Sequence, residues 1–263
     1  MFIDTHCHLD FDRFDADRDE VIRRALEAGV ARMIVPAIDL ENCTAVLRLT
    51  EQYEPLFAAV GVHPNATAVL PPNWLETVKA FARREKVVAI GEIGLDYHWD
   101  DSPKETQHDA LRQQLALAAE LNLPVIIHNR EASADVIRLL AESPLAGTER
   151  PGVLHSFSAD WETAQAALDM GFYLGFTGPV TFKKAGDLRE IAAKVPPDKI
   201  LVETDAPFLT PHPFRGKRNE PGYVRFVAER IAEVRGVDTA VFAAQTSANA
   251  RRLFEMMPDM EIL

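Results

Sequence analysis

The chain opens Met1-Phe-Ile-Asp-Thr-His-Cys-His8, an apolar start that stops on two histidines. Short apolar runs bounded by polar residues read as buried strands. The signature returns in Lys86-Val-Val-Ala-Ile-Gly-Glu92, Leu123-Pro-Val-Ile-Ile-His128, Gly152-Val-Leu-His155 and Lys199-Ile-Leu-Val-Glu-Thr-Asp205. Each run puts an imidazole or a carboxylate where a strand ends. Gathered from several strand ends, such donors describe a metallohydrolase site.

Working outward from these segments, candidate strands lie at 2–6, 32–37, 56–62, 86–91, 123–128, 152–156, 172–177 and 199–205. Helical stretches fall between them, among them Asp17–Ala28, closed by Gly29 as a capping signal, and Thr106–Leu121, followed by Asn122 and Pro124. Strict alternation of strand and helix implies parallel pairing with right-handed crossovers. The expected fold is therefore a single α/β domain over residues 1–263, a (β/α)8 TIM barrel, with an open doubly wound sheet as the alternative. Polar groups help to decide. His6, His8, His63, Glu92, His128, His155 and Asp205 are spread over many strand ends, as in barrels, whereas an open sheet gathers ligands near one switch point.

Composition narrows the function. A 47% hydrophobic content supports a large core, and no apolar stretch approaches the roughly 18 residues of a membrane span. With the first strand starting at Phe2, no signal peptide is expected, and a cytoplasmic, monomeric protein is the reading. The net charge of −12 excludes a general nucleic-acid coat with a broad basic face. A nuclease stays possible, because divalent metals and a few local cations attract phosphate at the mouth of an acidic body. Cys7 and Cys43 are too few for a disulfide framework, and strand alternation turns Cys7 away from His6 and His8, toward the core.

His6 and His8 share one face of a strand and can reach one metal. Glu92 has two carboxylate oxygens, enough to bridge two ions, and the flanking Gly91 and Gly94 let the backbone turn closely around it. Asp96 is a candidate to orient a ligating histidine. Glu203 and Asp205 are two apart, so both face the interior while Thr204 faces the helices. Asp205, nearer the strand end, is assigned to metal, and Glu203 is a supporting group or a base. The segment Pro213-Phe-Arg-Gly-Lys-Arg-Asn-Glu-Pro221 packs three cations into four residues just after the Asp205 strand, a placement that suits substrate phosphate.

These motifs, together with Gly61-Val-His-Pro64, Gly91-Glu-Ile-Gly-Leu-Asp-Tyr97, Leu201-Val-Glu-Thr-Asp-Ala-Pro207 and Asn249-Ala-Arg-Arg-Leu-Phe254, resemble the TatD family of metal-dependent deoxyribonucleases. The resemblance runs in order along nearly the whole chain. It implies a TIM barrel of the amidohydrolase type with two divalent cations, one held by His6, His8, Glu92 and Asp205 and the other by Glu92, His128 and His155. Zn²⁺, Mn²⁺ or Mg²⁺ is expected, the imidazoles favouring Zn²⁺, Mn²⁺ or Fe²⁺. The implied activity is two-metal phosphodiester hydrolysis of DNA, with single strands and 3′ ends as the expected substrate. His63 and Arg215 are expected at the scissile phosphate, and Lys217, Arg218 and Asn219 beside it. Tyr97, Trp99 and Phe208 are candidate stacking platforms, although Phe208 is expected mainly in the core. Asn129, Glu131 and Ser156 depart from the family pattern beside the ligands. The rival readings are an amidohydrolase acting on C–N or ester bonds, against which strand four ends on Gly91-Glu92 without a lysine, and a non-catalytic metal-binding protein.

Overall fold

A computed structural model describes residues 1–255. Eight strands appear, β1 Phe2–Asp4, β2 Val30–Pro36, β3 Leu56–Val60, β4 Val87–Asp96, β5 Val125–Arg130, β6 Gly152–Leu154, β7 Tyr173–Phe176 and β8 Ile200–Val202. All are parallel, paired in sequence order from β1 to β8. Between and after them run α1 Arg18–Glu27, α2 Leu40–Gln52, α3 Trp74–Ala82, α4 Lys104–Leu121, α5 Ser133–Glu142, α6 Trp161–Asp169, α7 Gly186–Lys194, α8 Val224–Arg235 and α9 Thr239–Leu253. Past the ends of β1 and β8 the ring is joined by Asp205 N–H to His6 O at 2.8 Å and His8 N–H to Ala206 O at 2.7 Å. The architecture is the (β/α)8 barrel expected from the alternation of elements, not the open sheet.

Two apolar layers fill it. Ile34, Phe57, Val88, Ile126, Val153, Tyr173 and Leu201 form one buried cluster inside the strands. Neighbouring strand residues such as Val35, Val87, Val125 and Val202 face the other way and pack under the helices. Helix α9 contributes Ala250 and Leu253 to the inner cluster, and Phe254 just past its end joins them. It is tied down by Ser247 to the Met1 carbonyl and by Asn249 to the carbonyls of Pro197 and Ile200, at 2.8 and 2.9 Å. The closing motif Asn249–Phe254 therefore stops the amino-terminal end of the barrel. Only the opposite end is left open for chemistry.

Strand lengths differ from expectation where the ligands sit. β8 ends at Val202 rather than reaching 205, and Asp205 takes φ +56. β4 instead runs on to Asp96, past a register shift between Ile90 and Ile93. Across that shift three steps on β4 match two on β5, a bulge that turns Glu92 into the barrel mouth. Glycine at 91 permits it, since a Cβ there would stand 2.7 Å from the Ile126 Cβ.

Both cysteines are fully buried, Cys7 beside the Ile34 carbonyl and Cys43 beside that of Gly61. Burial pushes the Cys43 thiol up to about 12 and that of Cys7 well above its ordinary value. Thiolate is the reactive form. Neither cysteine should therefore react with Ellman's reagent at pH 8 in the folded protein, and both should react once denatured; prompt native labelling would contradict this packing.

Candidate metal centre

Glu92 lies at the centre of the open end, 3% exposed, with its two oxygens facing different partners. Oε2 is 3.3 Å from His6 Nε2 and 3.7 Å from His8 Nε2. Oε1 is 2.9 Å from His128 Nδ1, 2.9 Å from His155 Nε2 and 3.7 Å from His63 Nε2. Asp205 completes the first side, its Oδ1 lying 3.7 Å from His6 Nε2 and 3.6 Å from His8 Nε2. Three donor groups result, each with its atoms within 4.8 Å of one another: His6, Glu92 and His155; His6, His8 and Asp205; His63, Glu92 and His128.

Charge within the cluster is set by burial working against neighbours. Burial alone would protonate Glu92, yet His155, His6 and His128 hold its carboxyl well below the usual carboxylate range. Burial, reinforced by nearby histidines, lowers His6 to about 4 and His63 to about 3, leaving neutral imidazoles. For His8 burial is overcome by Asp205 and Glu92, and for His128 by Asp96 and Glu92, so both rise to about 9.

Do these residues suit divalent cations? His6 Nδ1, His8 Nδ1 and His155 Nδ1 are buried without a partner, and His6 Nε2 faces His8 Nε2 at 3.3 Å. Two imidazole nitrogens turned on one another with two carboxylates alongside make a poor hydrogen-bonding arrangement. They make a good donor set for an ion that accepts nitrogen and oxygen lone pairs. The residues fit.

Each ligand position has a backbone reason. Beyond Asp4 the chain stays extended, with Cys7 N–H to Ile34 O at 3.0 Å, which turns His6 and His8 to one side and Cys7 to the other. Gly94, with φ +150, lets β4 approach β5 so closely that a Cβ would stand 2.0 Å from the His128 carbonyl oxygen. His63 Nδ1 accepts from Asn65 N–H at 3.2 Å, which leaves Nε2 toward Glu92. This histidine thus belongs with the donor groups, more deeply than a phosphate contact would need.

Asp96 proves to be a positioning residue. One oxygen holds His128 Nε2 at 2.9 Å, and the other accepts the amides of His98 and Trp99 at 2.9 and 3.2 Å. Glu203 lies behind the site. It is fully buried, accepts from Thr5 Oγ1 at 3.1 Å and Ser156 N–H at 2.9 Å, and stands 3.9 Å from His155 Nδ1. Burial raises it to about 7. Gly175 makes its space, since a Cβ there would meet Oε1 at 2.1 Å. So enclosed, the carboxyl stands against the segment that carries His155, which suits the supporting role expected of it. Sequence reasoning missed Asp4, fully buried and raised to about 8 by burial, which accepts from Thr204 N–H at 2.9 Å and joins the chain behind His6 to that behind Asp205. Its signal was a lone carboxylate inside an apolar run.

The donor cluster floors a cavity of about 630 Å³, walled by Phe11, Trp99, Arg130, Ser158 and Phe208. Here the loop at 213–221 departs from expectation. Arg218 forks onto Asp17 at 2.8 and 2.7 Å and donates to the Arg13 carbonyl at 2.6 Å. Asn219 is fully buried and donates to the carbonyls of Thr204 and Phe208 at 2.8 and 2.6 Å. Both are structural ties, because donors already committed to buried or charged partners are not free for phosphate. Arg215 and Lys217 are exposed, over the rings of Phe182 and Phe214, outside the cavity wall. Arg130, which sequence reasoning passed over, does line it and makes no side-chain hydrogen bond or ion pair among the described residues. Phe208 is open to the cavity and not in the core, while Tyr97 is turned aside to His108 and Asp135 at 2.6 and 2.7 Å. Of the departures from the family pattern, Asn129 donates to Ser133 at 3.0 Å, Glu131 pairs with His98 at 2.8 Å and Ser156 meets Thr177 at 2.8 Å.

A (β/α)8 barrel whose open end gathers His, Glu and Asp donors around one shared carboxylate defines a barrel metallohydrolase. The chain belongs to the TatD-related DNase family, whose sequence model matches residues 3–255. It is 47% identical over 257 residues to the uncharacterized metal-dependent hydrolase YabD of Bacillus subtilis, covering 97% of this chain and all of the relative. To the 3′-5′ ssDNA/RNA exonuclease TatD of Salmonella typhimurium it is 38% identical over 259 residues, covering 97% and 99%. The crystal structure of YjjV, a TatD homologue from Escherichia coli, superposes with a TM-score of 0.90 at 38% identity, covering 97% of this chain and 98% of that one. Among the described residues no helix is long and apolar enough to cross a membrane.

Partners that orient a ligating histidine typically matter roughly 10- to 100-fold in metal affinity. Asp96→Asn should therefore weaken metal binding within that range while the protein stays folded, as read by metal titration beside circular dichroism. Parent-like affinity would remove Asp96 from the centre.

Proposed function

We propose that this protein holds two divalent metal ions through Glu92 and hydrolyses phosphodiester bonds of single-stranded DNA. One observation carries the reading: the two oxygens of one buried carboxylate face two separate sets of donors. His6, His8 and Asp205 would hold the ion on the Oε2 side, and His128 and His155, with His63 adjacent, the ion on the Oε1 side. Bound there, divalent ions supply Lewis-acid charge for a phosphate oxygen and lower the pKa of water at neutral pH. Asp96 fixes the ring of His128, and Glu203 and Asp4 brace the backbone behind the ligands. Arg130, the free cation on the cavity wall, suits the phosphate under attack, and Arg215 and Lys217 suit phosphates farther along the strand. The Salmonella relative's name as a 3′-5′ ssDNA/RNA exonuclease supports this choice of substrate.

The test is hydrolysis of end-labelled single-stranded DNA by metal-stripped protein with Zn²⁺, Mn²⁺ or Mg²⁺ returned in turn. Activity should reappear with metal, and elemental analysis should approach two ions per chain. Glu92→Ala should lose at least about 1,000-fold in rate, the scale at which a preorganised electrostatic group is removed, while remaining folded. A metal content fixed at or below one after reconstitution would sink the two-ion reading.

The cations should separate by salt. Arg130→Ala and Arg215→Ala should bind DNA more weakly and with a shallower salt dependence than the parent, each having removed a phosphate contact, with metal content unchanged. Arg218→Ala should mainly lower the melting temperature, because it breaks the fork onto Asp17. If Arg215→Ala matches the parent at every salt concentration, that side chain is solvated surface.

A further inference from the structure

Trp99 and Phe208 are exposed over 55% and 44% of their surface, and no other tryptophan or phenylalanine among the described residues is open beyond a third. Both line the cavity above the metal cluster. They reach it from opposite sides of the ring, since Trp99 follows β4 and Phe208 follows β8 in a barrel ordered β1 to β8. Large aromatic surface held in water has a hydration cost, so its placement beside a site calls for a ligand.

Neither ring sits on a loose loop. The Trp99 amide donates to Asp96, three residues back, and the same carboxylate holds His128. His98 packs edge-on against the indole at 4.7 Å and is braced by Glu131 at 2.8 Å. The Phe208 amide donates to the carbonyl of Asp205, again three residues back, at 2.9 Å, and Asn219 holds the Phe208 carbonyl at 2.6 Å. Phe11 meets the Phe208 ring edge-on at 6.0 Å and itself stacks on His8 at 4.8 Å. Both exposed rings are thus indexed to the donors at the cavity floor through one short turn each.

We infer that Trp99 and Phe208 form a nucleobase clamp: the two walls take the face of an unpaired base, or of the two bases flanking the scissile phosphodiester. Flat π ligands match flat exposed rings, and stacking tolerates any base. Arg130, on the same wall system and free of partners, meets the connecting phosphate. Bases inside a duplex are already stacked and paired, so the clamp selects single-stranded nucleic acid without reading its sequence. The inference rests on the phosphodiesterase reading above and adds the binding site for the base.

The experiment compares two single-stranded oligonucleotides of one length, one with all bases and one abasic at the two positions around the cleaved bond. The probes are offered to the metal-loaded parent, Trp99→Ala, Phe208→Ala and Trp99→Phe. The parent should favour the base-bearing strand roughly 5- to 150-fold, the range that base–aromatic stacking provides. Trp99→Ala and Phe208→Ala should shrink that ratio toward one, and Trp99→Phe should restore most of it, with metal content and melting temperature as in the parent. Binding supplies a second readout, because the base-bearing strand should change the tryptophan emission of the parent but not of Trp99→Phe. Alanine variants that keep the parent's ratio overturn the clamp and leave the phosphodiesterase reading in place. Should the parent cleave neither strand with any metal, that reading fails, and the clamp then falls unless the base-bearing strand alone still changes the Trp99 emission.

Discussion

A buried carboxylate surrounded by imidazoles is the constraint on which the rest of this protein depends. Removing a charge from water costs several kcal/mol unless partners replace the lost hydration. Glu92 is 3% exposed, and every strong partner it has is a histidine from another strand. No single element could supply them. Five histidines and Asp205 reach it only because a closed ring of parallel strands turns many carboxyl ends toward one axis, and because the β4 bulge pushes Glu92 inward to meet them. Barrel closure and site assembly are one event.

The outer supports follow from the same demand. Imidazoles that face a shared carboxylate must be prevented from turning away, so each neighbouring loop carries a group that fixes backbone or ring. Asp96 bonds His128 on one side and two loop amides on the other. Asp4 joins the strand behind His6 to Thr204, next to Asp205, and Glu203 joins Thr5 to Ser156, next to His155. All three carboxyls are buried. Their positions make sense only as a frame that keeps donors aimed inward.

What was legible in the sequence was whatever depended on the chain's own pattern. Apolar runs ending on His6, His8, Glu92, His128, His155 and Asp205 declared both strands and donors, since burial and chemistry coincide there. Partner choice was less visible. Arg215, Lys217 and Arg218 look alike in sequence, yet Arg218 lies against Asp17, 201 positions away along the chain. The role of Asn219 depends on the carbonyls of Thr204 and Phe208, and that of Glu203 on space left by Gly175. Such assignments are set by the packing of distant loops. Arg130 escaped notice for the opposite reason, as a lone cation whose importance lies in having no partner.

An acidic body can still present positive charge locally, depending on which of its cations are paired. Several arginines on the outer helices are neutralised locally, as Arg23 is by Glu20 and Glu27, and Arg138 by Asp135 and Glu142. At the open end Arg130, Arg215 and Lys217 have no carboxylate partner among the described residues. The net charge of −12 acts over the whole surface, but salt screens exposed charges beyond about 8 Å at physiological ionic strength. Within that distance of the mouth, unpaired cations, and the charge of any ion held by the donor cluster, would dominate what a phosphate meets. On the proposed nuclease reading, the acidic remainder would repel nucleic acid elsewhere on the surface and confine productive contact to the cavity, where the exposed rings and the donor cluster lie together.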